Sequence, residues 1–190
     1  MNEVDVAIQR EEMRNRALLY EVAETLSSPN IGDLLPRFAE MLSRVIPYDR
    51  LMIARVNSGP KELLPLFVDG LQTPIWSPGV ANSSDGTGLD RLPTQGLFLD
   101  AAGVDQFRRD YPASEWSALP DIQSAVMIGL TSGTETVGVL SFGSCEPTAH
   151  SFTSLNFLKR LSVLLANALV SSARLSDLRT QVHEQTVLAE

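Results

Sequence analysis

One cysteine, two histidines and two lysines in 190 residues remove several kinds of chemistry before any motif is sought. A lone Cys145 closes no internal disulfide and supplies no cysteine-rich metal site. Fifteen Lys and Arg stand against twenty-three Asp and Glu, giving a net charge of −8 and a pI near 4.8. Phosphate-backbone binding needs clustered cations, and the pair Arg108-Arg109 is too little for a nucleic-acid face. No apolar run approaches the ~20 residues of a membrane span, and the N-terminus lacks a signal-peptide core. The expectation is a cytoplasmic protein with neither nucleic acid nor membrane as partner.

What is present is an ordinary globular composition, 44% apolar with mean hydropathy +0.02. A chain of this length can bury roughly 70% of its unfolded surface, enough for one independent core. The division expected is a helical extension over 1–16, a domain over 17–172 and a signalling helix over 173–190. Leu19, Val22, Ala23 and Leu26 make one face of a first amphipathic helix. A second helix is expected after Asp33 as N-cap, with Pro36 in its first turn and an apolar stripe of Leu34, Leu35, Phe38, Met41, Leu42 and Val45.

Arg50 to Val56 and Glu62 to Val68 read as strands, the second placed at an edge or beside a bulge because Pro65 cannot donate to a ladder. Residues 69–123 are broken by Pro and Gly, with a strand expected at Leu97-Phe98-Leu99-Asp100 and a short helix from Val104 to Tyr111. So long an irregular stretch inside a domain is usually functional or mobile. The chain is organised around a strand Ser124 to Leu130, a turn through Gly133, a strand Thr136 to Ser144, and a helix capped by Thr153. On the return strand Val137, Val139 and Ser141 share one face, and Gly138, Leu140 and Phe142 the other. Helices and hairpins in this order fit an α+β fold with a largely antiparallel sheet.

The string SAVMIGLTSGTETVGVLSFGS, with HSFTSLNFLKRLSVLLANAL after it, resembles the carboxy-terminal half of a GAF domain, a sensory and regulatory family. It departs from the family pattern at Asn156, where an acidic residue is common. The resemblance covers about residues 17–175. It implies a GAF-like, PAS-related α+β fold: a central antiparallel sheet, N- and C-terminal helices on one face, and a lid of loops and short helices on the other. It further implies a small-molecule-sensing, dimerising regulatory domain of a bacterial-type signal transduction protein, with no catalytic role and no cofactor.

The family's known chemistries each ask for particular residues. Bilin attachment uses a cysteine in the lid, and residues 69–123 hold none. An axial haem ligand would be a pocket histidine, whereas His150 falls in a loop and His183 on the terminal helix. The Asn-Lys pair of cyclic-nucleotide binders is missing, and the family's free methionine sulfoxide reductases cycle several cysteines through a disulfide. There remains an apolar pocket with scattered polar groups. Its candidate walls are Trp76, Phe98, Phe107, Tyr111 and Trp116 from the lid, and Met127, Gly138, Leu140 and Phe142 from the sheet. Arg91 and Arg108 are candidate anchors for an anion. Along the last helix Leu164, Ala168, Leu175, Leu178 and Val182 keep the 4-3 spacing of a coiled-coil seam, which makes them the expected homodimer contacts. The alternatives are a ligand-free dimerisation module and a small enzyme using Cys145 and His150.

Overall fold

The computed structural model describes residues 13, 16–17, 19–24, 30–57, 62–89, 92, 96–150 and 152–187; along the last helix it describes the side chains of 157–175 and 178. Strands β1 (Arg50–Asn57), β2 (Glu62–Gly70), β3 (Asn82–Ser83), β4 (Leu97–Leu99), β5 (Ser124–Ser132) and β6 (Glu135–Ser144) form one sheet in the order β3-β2-β1-β6-β5-β4. Every neighbouring pair is antiparallel. Among the described residues, helices α1 (Ile31–Ser43), α2 (Ala101–Asp110) and α3 (Phe152–Val187) follow helical residues at 19–24, and a short 3-10 turn spans Glu115–Ala118.

The period-2 alternation of the central strands splits the core into two layers. Leu51 and Ile53 of β1, Val126, Ile128 and Leu130 of β5, and Leu140 and Phe142 of β6 face the helices. There they meet Leu34, Phe38 and Leu42 of α1 and Leu158, Leu161, Leu165 and Leu169 of α3, with Val22 of the N-terminal helical residues. The opposite face of the sheet carries Met52, Ala54, Ala125, Met127 and Val139 against Trp76, Phe107, Trp116 and Ile122 of the irregular segment. Helices therefore cover one face and the lid the other, as the resemblance implied.

Pro65 lies where β2 bulges: Ile53 pairs with Phe67 and Ala54 with Pro65, leaving Leu66 as the extra residue. The β5–β6 turn needs Gly133, whose φ is 64°. Three boundaries differ from expectation. Asn30, not Asp33, caps α1, accepting from the Gly32 amide at 3.1 Å while its own amide nitrogen donates to Asp33 at 2.7 Å. The earlier start moves Pro36 into the second turn. Asp100 is the cap of α2 rather than the end of β4, accepting from the Gly103 amide at 2.8 Å. Helix α3 already includes Phe152 and Thr153. For α1 and α2 a nearby side chain with an oxygen acceptor takes the capping role.

Candidate functional site

The lid face of β1 reads Arg50, Met52, Ala54, Val56, so one cation sits at the end of an otherwise apolar row. Arg50 pairs across the ladder with Gly70 on β2 and Gly143 on β6, which leaves room for its guanidinium beneath the lid. It is 0% exposed. Its Nη2 donates to the Trp76 carbonyl at 3.0 Å and its Nη1 to the Leu71 carbonyl. Its Nε faces a Glu115 carboxylate oxygen at 3.4 Å. The other Glu115 oxygen accepts from the Ser141 hydroxyl on β6. Glu115 is itself 3% exposed. Burial pushes its carboxyl above the ordinary range, and Arg50 and Ser141 pull it only part of the way back.

Beside this trio lies Trp116, fully buried, whose indole N–H donates to the Met127 sulfur at 3.2 Å. The ring rests on β6 where Gly143 has no side chain: a Cβ there would fall 2.7 Å from Trp116 Cζ3 and 3.0 Å from Ile122 Cδ1. Arg108 of α2 holds the same segment from outside. Its guanidinium donates to the carbonyls of Trp116 (2.9 Å), Leu119 (2.6 Å) and Ile122 (2.7 Å) and to Asp105 (3.0 Å). It is a staple of the lid, its donors committed to three backbone carbonyls and to Asp105, and not an exposed anion anchor.

The sequence-derived pocket is thus only partly assembled. Phe107, Tyr111, Trp116 and Met127 do meet on the lid face, with Phe107 and Tyr111 rings 4.7 Å apart, while Trp76 packs in a separate cluster on that face with Met52, Leu63 and Val139. Leu140, Phe142 and Phe98 instead face the helices. So does Gly138, whose added Cβ would lie 2.6 Å from the Ala54 carbonyl oxygen and 3.2 Å from Leu169 of α3. The alternation expected along β6 is present, but the row expected beneath the lid is the one that meets the helices. Arg91 lies outside the described residues. Arg50, Glu115 and Ser141 form a buried polar cluster that sequence reasoning missed; the available signal was one arginine in an apolar strand row and an acid beside a tryptophan in the lid.

Among the described residues, a cleft of about 410 Å³ lies outside this plug, between the loop after β2 and the segment after α2. Ile75, Trp76, Pro112, Ala113 and Ala118 supply apolar walls, and Asn82, Ser83, Asp85, Ser114 and Ser117 polar ones. Asn82 is tied to the Ile75 and Val80 carbonyls at 2.9 Å each, which fixes that rim. Trp76 belongs to both places, lining the cleft and holding Arg50 through its carbonyl.

Cys145 and His150 do not form a nucleophile–base pair. His150 Nδ1 lies 3.1 Å from Ser124 Oγ, whose own hydrogen goes to the Glu146 carbonyl at 2.7 Å. Partial burial and the Asp49 carboxylate push the Cys145 thiol up, the reverse of what a thiolate nucleophile needs. Asp49 accepts from Ser144 Oγ at 2.8 Å and the Cys145 amide at 2.7 Å, bonds that hold its carboxyl low. His150 is 4% exposed, and among the described residues its Nε2 makes no hydrogen bond of normal geometry. Burial holds the ring below its usual 6.5, although the nearby Pro47 carbonyl and Asp49 favour protonation. With the folded value depressed, the unfolded chain takes the proton first. Stability is therefore expected to fall as pH drops below about 6.5 toward the folded value. Urea midpoints measured between about pH 5 and 8 should show this loss, and His150→Phe should flatten it.

Among the described residues no group of three or more His, Cys, Asp or Glu is placed to hold a metal ion, and no helix is long and apolar enough to cross a membrane. No family model matches the sequence, and no curated protein matches it. Solved structures do. The phycoerythrobilin-bound GAF domain of a cyanobacterial phytochrome is similar at TM-score 0.66 and 13% identity, over 85% of this chain and 97% of that one. The GAF domain of a two-component sensor histidine kinase from Bacillus halodurans is similar at TM-score 0.63 and 19% identity, over 78% and 99%. The free methionine-R-sulfoxide reductase of Neisseria meningitidis, solved with its substrate, is similar at TM-score 0.64 and 14% identity, over 84% and 90%. With its six-stranded antiparallel sheet, helices on one face and lid on the other, this chain has the fold of a GAF domain.

Proposed function

We propose that this is a regulatory GAF domain that senses a small molecule at its lid and works as a homodimer through its terminal helices. The observation that carries the reading is α3. It runs 36 residues, roughly 54 Å at 1.5 Å per residue, and its buried face against the sheet ends at Leu169. Beyond that point Leu175 is 38% and Leu178 57% exposed. Leu164 and Ala168, earlier on the same seam, are half-buried against the core, and Val182 continues the spacing with its side chain outside the described residues. Tyr20 and Met13 of the N-terminal helical residues are 68% and 65% exposed. An apolar seam leaving a domain in this way calls for a second helix. Sensor-kinase and phytochrome GAF domains among the similar structures support a sensory role. Ligand binding would shift the population of lid conformations and so bias helix pairing.

The cleft beside Trp76 is the place for the ligand, in solvent-exposed position and of a size suited to a metabolite. The reductase similarity does not extend to its chemistry, since a single cysteine with a raised thiol cannot cycle through an internal disulfide. A second reading, a dimerisation module without ligand, draws on one observation: Arg50, Glu115 and Trp116 already fill the space between sheet and lid.

Sedimentation at tens of micromolar tests the assembly. A dimer is expected for the parent and a monomer for Leu175→Glu/Leu178→Glu, with the domain still folded. A monomeric parent overturns the dimer. Native mass spectrometry and a thermal-shift screen test the sensor: a ligand stabilises by mass action and should lose its effect in Ser117→Trp, which fills the cleft. A stabilising hit that acts equally on both proteins places the site elsewhere, and no hit at all favours the second reading.

A further inference from the structure

The floor of the sheet–lid layer carries the Arg50 guanidinium and the Ser141 hydroxyl, and the lid hands a carboxylate to both. Arg50 and Ser141 belong to β1 and β6, the rigid centre of the sheet. Glu115 belongs to a four-residue 3-10 turn that has no side-chain cap. We infer that Arg50 and Ser141 form a binding site for a small carboxylate, occupied in this structure by Glu115 as a tethered ligand, and that a free carboxylate takes its place when the turn lifts. This deepens the sensing reading by naming a ligand class and a second place for it, below the cleft.

Three features separate this arrangement from a pair that merely pins the lid. The guanidinium is oriented independently of Glu115, because Nη1 and Nη2 are held by the Leu71 and Trp76 carbonyls. The site therefore persists when Glu115 leaves, which is what preorganisation requires. The Glu115 contact is a single one at 3.4 Å to Nε, whereas Arg offers five N–H donors and prefers two parallel bonds to a carboxylate. A carboxylate free of the turn can adopt that geometry. Finally, the neighbouring Trp116 is held to the sheet by packing and by one bond to a thioether, a weak acceptor, so no strong polar contact of the indole opposes lifting.

Displacement would expose Glu115 and Trp116 together, release the turn's amide bonds, Ser117 to Ser114 and Leu119 to Trp116, and draw on the Arg108 bonds to the Trp116 and Leu119 carbonyls, which the bound carboxylate has to offset. The lid would open around the loop that also frames the cleft, since Trp76 is shared. Ligand and lid position are then linked through one competition, Glu115 against the free acid.

The test removes the tether. Glu115→Ala deletes a CH₂–COO⁻ fragment, whose free counterpart is acetate; Glu115→Gly deletes one methylene more, matched by propionate. Thermal unfolding of the Glu115→Ala chain should show a dose-dependent rise with sodium acetate that exceeds the rise for the parent. Acetamide, and sodium chloride at equal ionic strength, should not reproduce it, and Arg50→Met/Glu115→Ala should lose it. An equal response of parent and variant, or equal rescue by chloride, overturns the site. Should Glu115→Ala not fold, the measurement moves to the parent. Acetate and propionate are then expected to speed hydrogen exchange at the Ser117 and Leu119 amides relative to chloride, and unchanged exchange overturns the inference. Failure here leaves the dimer and cleft tests untouched, since they are read by sedimentation and by Ser117→Trp.

Discussion

Trp116→Ala should destabilise the domain by about 3–5 kcal/mol, the range for deleting a large buried aromatic. For a chain of this length that is a fall of roughly 6–20 °C in melting temperature. The ring is fully buried and bridges the lid to Met127, Ile122 and the floor at Gly143. Trp116→Phe should lose much less, because most of the volume remains and only a weak N–H to sulfur bond goes. Gly143 supplies an internal check. In the parent, Gly143→Ala drives a methyl to within 2.7 Å of the indole, and overpacking of this kind typically costs about 1–3 kcal/mol. With Trp116→Ala already in place, the same methyl loses its clash with the ring and keeps only the milder one with Ile122, so the combined loss should fall short of the sum of the two. Additive losses in urea unfolding would show that ring and strand do not touch as described.

That contact also marks the limit of what the sequence discloses. Strand and helix positions follow from local periodicity, and the alternation along β6 separates Val139 and Ser141 from Leu140 and Phe142 without any structure. Which of the two rows faces the lid is not a local property. It depends on where α1 and α3 pack, and both rows are apolar enough to be buried, as a sheet covered on both faces demands. Hence Gly138 reads as a ligand approach, when it admits the α3 helix at Leu169 and the Ala54 carbonyl. The pairing of Arg50 with Glu115 spans 65 residues and crosses the irregular segment, where periodicity carries no signal. Arg108 has the complementary fate: a cation in a lid suggests an anion site, but three backbone carbonyls that no pattern announces take its donors.

Arg50→Met should be among the most damaging single substitutions, with an expected loss of about 3–5 kcal/mol. Methionine keeps the length of the buried stem but strands three acceptors, the Leu71 and Trp76 carbonyls and the Glu115 carboxylate. Glu115→Gln alone should lose less, since an amide still accepts from Ser141 and the guanidinium keeps its two carbonyls. The double variant, Arg50→Met with Glu115→Gln, removes the uncompensated charge together with its partner. Its loss should fall short of the sum of the singles by roughly 0.5–3 kcal/mol, the usual coupling of residues in one network. Acidity offers a second handle. Burial already raises the Glu115 carboxyl above its usual 4.5, and without Arg50 nothing comparable opposes that rise. A carboxyl raised in the folded state keeps its proton while the unfolded chain loses its own, so stability falls as pH climbs from about 4.5 through the folded value. The deficit of Arg50→Met against the parent should therefore widen from acid to neutral pH, and Glu115→Gln should abolish the widening. A deficit that stays constant with pH would mean that Glu115 is not the group left unpaired, and that the damage comes from the two carbonyls alone.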